Sequence, residues 1–105
     1  FAGTDETAQA RALYQMLASG RIDRALFTKN GNDYFSEQAL ADYASSLAPL
    51  GPPVEVTQRV KKQLRGGLTV ERFTFKFEDR TLLAVLRAEP GTGKVEQFTI
   101  YPSGD

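Results

Sequence analysis

Two stretches in the first half of the chain carry apolar residues at helical spacing, and everything after residue 53 alternates apolar with polar side chains. Ala10, Leu13, Tyr14 and Leu17 recur at i, i+3, i+4 and i+7, the stripe of an amphipathic helix. Thr4, followed by Asp5 and Glu6, fits a helix N-cap with acids at the positive end of the dipole. Ser19-Gly20 ends this helix, since glycine takes the left-handed cap conformation without penalty. Asp23 is placed to cap a short second helix carrying Leu26 and Phe27, and Thr28 to Asp33 (TKNGND) reads as turn. Ser36 caps a third helix whose stripe is Leu40, Tyr43, Ala44 and Leu47, and Pro49 to Pro53 (PLGPP) stops it.

Val54 to Arg65 and Leu68 to Glu78 alternate on either side of Gly66-Gly67, a strong two-residue hairpin signal. Folding about that turn sets Arg65 opposite Leu68, Val60 opposite Phe73, Gln58 opposite Phe75 and Val56 opposite Phe77. A second turn at Asp79-Arg80 then brings Phe77 to Leu82, Phe75 to Ala84 and Phe73 to Leu86. Because strand side chains alternate with period two, these apolar groups share one face. Glu89 to Lys94 (EPGTGK) is a longer loop, and Val95 to Tyr101 forms the last strand. The pattern predicts a single α+β domain over residues 1–105, with N-terminal helices packed on a curved antiparallel sheet of about four strands.

Helix, short helix, helix and then long curved hairpins is an order that resembles the NTF2-like (SnoaL-like, cystatin-like) α+β cone. The residues that carry the likeness are Ala12 to Phe27 (ALYQMLASGRIDRALF), Phe35 to Leu50 (FSEQALADYASSLAPL), and the strands from Gly66 that close on Phe98 to Pro102 (FTIYP). The chain looks most like small NTF2-like domains of bacterial exported proteins, some joined to hydrolase or peptidase domains. The resemblance implies a fold and admits several activities. Isomerases of the family use a strand aspartate, an oxyanion-binding tyrosine and a second acid inside an apolar cone. Here the only mid-strand acid on the apolar face is Glu71, set opposite Lys62 near the open end of the hairpin. The family's dehydratase-like members depend on histidine.

Composition narrows the chemistry further. The chain contains neither histidine nor cysteine, which removes the usual general base near neutral pH, thiolate nucleophiles and the commonest soft metal ligands. A histidine-dependent triad is therefore excluded within this chain. Thirteen basic and thirteen acidic side chains cancel, so no global field favours nucleic acid or an anionic membrane. No apolar run approaches the roughly 18 residues that span a bilayer. The carboxylates lack the spacing of a calcium loop, and neither a metal nor a cofactor is expected. A start at Phe1 is explained equally by a removed export signal, which would place the protein in a periplasm, and by a trimmed boundary.

Tyr14, Tyr43 and Gln58 are the polar tips expected between helices and sheet, where they could orient a small apolar ligand. The competing expectation makes them satisfied core residues. Lys62 and Glu71 read as a cross-strand ion pair worth about 0.2–1 kcal/mol. Arg59, Lys61, Lys62 and Arg65, with Arg72 nearby, read as a solvated basic face that deters edge-to-edge association. Gly91 and Gly93 lack the lysine–serine pattern and following helix of a phosphate-binding loop.

Leu68, Val70, Leu83 and Val85 fall on the face that the helices leave open. If the last loop has an even number of residues, Phe98 and Ile100 join them and Arg87 pairs with Glu96. If it is odd, Phe98 and Ile100 turn inward. The even case makes an apolar patch suited to a homodimer or a companion domain. The expected function is accordingly a non-enzymatic accessory or binding domain, and the alternative is a small isomerase or lyase using tyrosine and carboxylate.

Overall fold

The computed structural model describes the backbone of residues 2–102 and the side chains of residues 7–59 and 62–102. Helix α1 spans Ala2–Ser19 and buries Ala10, Leu13, Tyr14 and Leu17, the predicted stripe. Its backbone is already helical at Thr4, so the helix begins before the expected cap; the side chains of Thr4 to Glu6 lie outside the described residues. Gly20 follows with φ +78°, the left-handed stop. Asp23 caps a single 3-10 turn, Arg24–Leu26, by accepting from the Ala25 amide. Ser36 caps α3, Glu37–Leu47, through the Ala39 amide, and a further 3-10 turn, Ala48–Leu50, leads into the sheet.

Residues 28–33, expected as turn, hold a short helix α2 over Lys29–Tyr34. Its Thr28 cap accepts from the Gly31 amide at 3.0 Å and donates its hydroxyl to Glu96 at 2.7 Å. The Thr28 amide donates to the Val95 carbonyl at 2.9 Å, and Phe27 bridges Val95 as a one-residue parallel strand. These contacts come from a strand more than sixty residues away. They outweigh the local turn preference of Asn-Gly-Asn-Asp.

The sheet is a meander in the order β1-β2-β3-β4, with β1 Glu55–Arg65, β2 Leu68–Lys76, β3 Thr81–Ala88 and β4 Val95–Pro102. Gly66 and Gly67 turn β1 into β2 with φ +61° and +84°, and Arg65 faces Leu68 as expected. Further along, β1 carries two register shifts. Arg59 stands unpartnered between Gln58–Phe73 and Val60–Arg72, and Lys61 with Lys62 stand against Glu71 between Val60–Arg72 and Gln63–Val70. Gln58 therefore faces Phe73 and Val56 faces Phe75, two residues from the expected pairing. Val60 pairs with Arg72 in place of Phe73; its side chain, like that of Lys61, lies outside the described residues. Such bulges bend and twist a strand, and here they curl the end of the hairpin.

The second hairpin turns on Glu78-Asp79, one residue earlier than Asp79-Arg80, because the Phe77 amide bonds the Arg80 carbonyl at 2.8 Å. Phe75 then meets Leu82 and Phe73 meets Ala84. Both offsets are even, so Val56, Gln58, Phe73, Phe75 and Phe77 keep the inner face; at Val60 the offset is odd, and that residue pairs with outer Arg72 instead of joining them as expected. On β4 the register slips at Glu96: Ala88 faces Val95, while Arg87 faces Gln97 and Leu86 faces Phe98. Val95, Phe98 and Ile100 consequently all belong to the inner face, with Val95 and Phe98 buried. The core joins α1 and α3 to Phe73, Phe75, Phe77, Leu86 and Phe98.

Glu96, the extra residue of that bulge, accepts from Thr28 and, at 2.8 Å, from Asn30. The two hydrogen bonds, Thr28 first, hold its carboxyl below the usual range, and partial desolvation opposes them weakly. A lowered native pKa means that stability is contributed above the ordinary carboxylate range and is lost as pH falls through the lowered value. The urea midpoint of Glu96→Gln should therefore lie below wild type at pH 7 and converge on it in acid. A gap independent of pH would show that the carboxylate charge is not what ties α2 to β4.

Candidate functional site

The three polar residues expected to line one cleft are held in three separate settings. Tyr14 is 1% exposed, and its hydroxyl donates toward the Gly51 carbonyl at 2.8 Å and the Leu47 carbonyl at 3.2 Å. Its ring packs on Phe75 and Phe77 with centroids 5.5 and 5.6 Å away. Burial raises its phenol pKa. Tyr14 is thus a core aromatic tying α1 to the 3-10 turn after α3.

Gln58 sits on the inner face of β1 and donates to the Glu71 carboxylate at 2.9 Å. Glu71 is 3% exposed, an acid held in the sheet interior beside a polar partner. Lys62, expected opposite Glu71, is exposed and is one of two residues sharing that position. The register slip sets two lysines, Lys61 and Lys62, against the one acid in place of the simple Lys62–Glu71 opposition expected.

Tyr14 borders a hollow of about 340 Å³ with Ala18, Leu47 and Pro52, and Tyr43 reaches a larger one. It projects from α3 into a hollow of about 460 Å³ between that helix and the ends of β3 and β4. Leu47, Leu50, Leu82 and Ile100 form its apolar wall, with Asp42 and Arg80 at its edge. The Tyr43 hydroxyl lies 3.5 Å from that of Tyr34, the outer limit of a hydrogen bond. Its pKa is raised, first by burial, then by the Tyr34 hydrogen bond and charge, with the Ile100 backbone working the other way. Tyr43 therefore remains a neutral hydroxyl at any physiological pH, a group that can donate or accept one hydrogen bond but cannot serve as an anion. Position i+3 from Leu40 marks Tyr43 in the sequence; Leu82 and Ile100 could be added only once the strand registers were known.

The isomerase arrangement needs a carboxylate and a tyrosine in hydrogen-bond contact in an open cleft. Among the described residues no tyrosine hydroxyl bonds a carboxylate, since Tyr14 bonds carbonyls and Tyr43 bonds Tyr34. The described buried side chains leave no nitrogen or oxygen without a hydrogen-bond partner. No group of three metal-ligating side chains occurs among the described residues, and none of the described helices is long and apolar enough to cross a membrane.

The outer face carries Leu68, Val70, Leu83 and Val85, as expected. Phe98 and Ile100 are not with them: residues 89–94 between the Ala88–Val95 pair are even in number, but the Glu96 bulge shifts the register by one and turns both side chains inward. The same slip sets Gln97 opposite Arg87, while Glu96 is held by Thr28 and Asn30. Tyr101 and Thr99 occupy the outer positions of β4, opposite Leu83 and Val85.

This geometry defines an α+β domain with its helices on one face of a four-stranded meander and an apolar hollow at one end of that interface. No family model matches the chain, and no curated protein does. Among solved structures it is similar to an NTF-2 like protein of unknown function from Burkholderia xenovorans. The two are 19% identical, with 98% of this chain and 87% of that one covered, at a TM-score of 0.45.

Proposed function

We propose that this chain is a non-catalytic binding domain of NTF2-like architecture that takes a small, largely apolar ligand in the hollow beside α3. The hollow of about 460 Å³ carries this reading. It falls in the size range of small-molecule sites and combines aliphatic walls with a few polar groups able to orient a guest. Deeper in the helix–sheet interior Phe73, Phe75 and Phe98 are each 0% exposed and pack in one core, which favours a ligand at the edge over a substrate in a deep cone. The isomerase alternative has less support, since the buried acid Glu71 is bonded to Gln58. Docking through the outer face is also less favoured, because Val70 and Val85 are already 5% and 7% exposed without any partner.

A neutral aromatic probe such as 2-naphthol should shift the amide resonances of Tyr43, Leu82, Ile100 and Tyr101 in a saturable way. Ala39→Phe, which narrows the hollow from the surface of α3, should weaken that binding by about tenfold, roughly 1.4 kcal/mol. Shifts scattered elsewhere, or binding indifferent to Ala39→Phe, would remove the hollow as the site.

A further inference from the structure

We propose that the outer face of the sheet carries a second site, formed by Arg65, Arg72, Arg87 and Gln63 around Val70, for a small oxyanion of at least two charges. Phosphate esters and polycarboxylates are its ligand class. The four polar side chains and Val70 line a concavity of about 460 Å³ at the curled end of the β1–β2 hairpin. Register explains the arrangement. Val70 faces Gln63 on one side and Arg87 on the other, Arg72 lies two residues along β2, and Arg65 faces Leu68. Val70 is 5% exposed and so forms a floor, with three arginines among the residues that line the concavity.

The charge is uncompensated. Arg72 and Arg87 are diagonal neighbours on adjacent strands, with Cα atoms about 7–8 Å apart, where like charges repel. A carboxylate would ordinarily be placed among them, yet none of the three arginines has an ion pair or side-chain hydrogen bond among the described residues. The acids nearest along these strands are engaged elsewhere. Glu96 is held by Thr28 and Asn30, Glu89 by the Thr92 hydroxyl in the β3–β4 loop, and Glu71 is on the inner face with Gln58. The bulge at Glu96 has an electrostatic result here, because it places neutral Gln97 where an acid would have faced Arg87.

Guanidinium groups present planar forks that match the oxygens of carboxylate and phosphate, and three arginines lining one concavity favour a ligand with more than one charge. The same cluster opposes pairing of this face with a copy of itself, which would bring like charges together. This site shares no lining residue with the hollow beside α3, so the two assignments stand or fall separately.

Citrate and inorganic pyrophosphate serve as probes of the full chain, read by amide shifts and by thermal unfolding. Both should give saturable shifts at Val70, Arg72 and Arg87 and should raise the unfolding temperature of the wild type. Arg72→Gln combined with Arg87→Gln should fold and lose at least about tenfold in affinity for both probes, while Arg21→Gln combined with Lys76→Gln should keep it. Absent or non-saturating shifts, or equal losses in the two double variants, would overturn the site. So would a glutamate-rich peptide that shifts these amides when neither small anion does, since the face would then be a surface for protein docking.

Discussion

Gly31→Ala is expected to destabilise the protein by about 2–3 kcal/mol and to lower its melting temperature by roughly 10–20 °C. Gly31 lies in the middle of α2 and is buried against β4. A methyl group there would fall on the Val95 carbonyl oxygen, with the Glu96 carbonyl next to it and the Phe27 side chain behind. Two of these three obstacles are backbone atoms of the bulged start of β4, which cannot rotate away. Relief requires α2 to lift, and lifting α2 breaks the Thr28 and Asn30 bonds to Glu96. Gly91→Ala provides the control, because its added methyl meets nothing within 4 Å. Equal unfolding curves for the two variants would show that α2 does not need its close approach to β4.

Phe75→Ala should have the larger effect, a loss of about 3–5 kcal/mol. The ring is 0% exposed and lies 5.5 Å from Tyr14 and 6.5 Å from Phe98, centroid to centroid. It lies between Tyr14 of α1 and Phe98 of β4 in the core. Domains of this size are stable by about 5–15 kcal/mol, so a measurable unfolded population at room temperature is the expected outcome. Phe75→Leu should retain most of the contact and cost less than about 2 kcal/mol. Urea denaturation of the two variants checks both numbers. Similar losses for Ala and Leu would mean that aromatic geometry outweighs volume at this position.

Much of the architecture was legible because it depends on periodicity and on glycine. The α1 stripe, the Ser36 cap and the Gly66-Gly67 turn are local signals, and each has its structural counterpart. The apolar face of the sheet was legible even though the pairing along it was displaced by two residues. An even displacement leaves a side chain on its own face, as for Val56 and Gln58, whereas the bulge at Arg59 displaces Val60 by one and sets it opposite outer Arg72. The Glu96 bulge is an odd displacement and reverses Phe98 and Ile100, and nothing in EPGTGKVEQF announces it. It is selected by Thr28 and Asn30, which are distant in sequence and themselves belong to a helix that local preference reads as turn.

The candidate sites were less legible for the same reason. Tyr43 could be found from helical spacing, whereas its apolar surroundings come from two strands whose registers had to be known. Gln58 was correctly set on the inner face, but its pairing with Phe73, two residues from Glu71, depends on bulges in β1 that no local signal marks. The uncompensated arginines required a further step: each was visible in the sequence, while the absence of an acid among them depends on where Glu96 and Glu89 are held.

The Tyr14 hydroxyl, which reaches the carbonyls of Leu47 and Gly51, makes opening of the first helix inseparable from opening of the segment that leads into the sheet. In native-state hydrogen exchange the amides of Leu13 to Leu17 should share one protection factor with those of Leu47 and Gly51, set by a single cooperative unit. The two ends of the helical layer would then yield together, although more than thirty residues separate them in the chain.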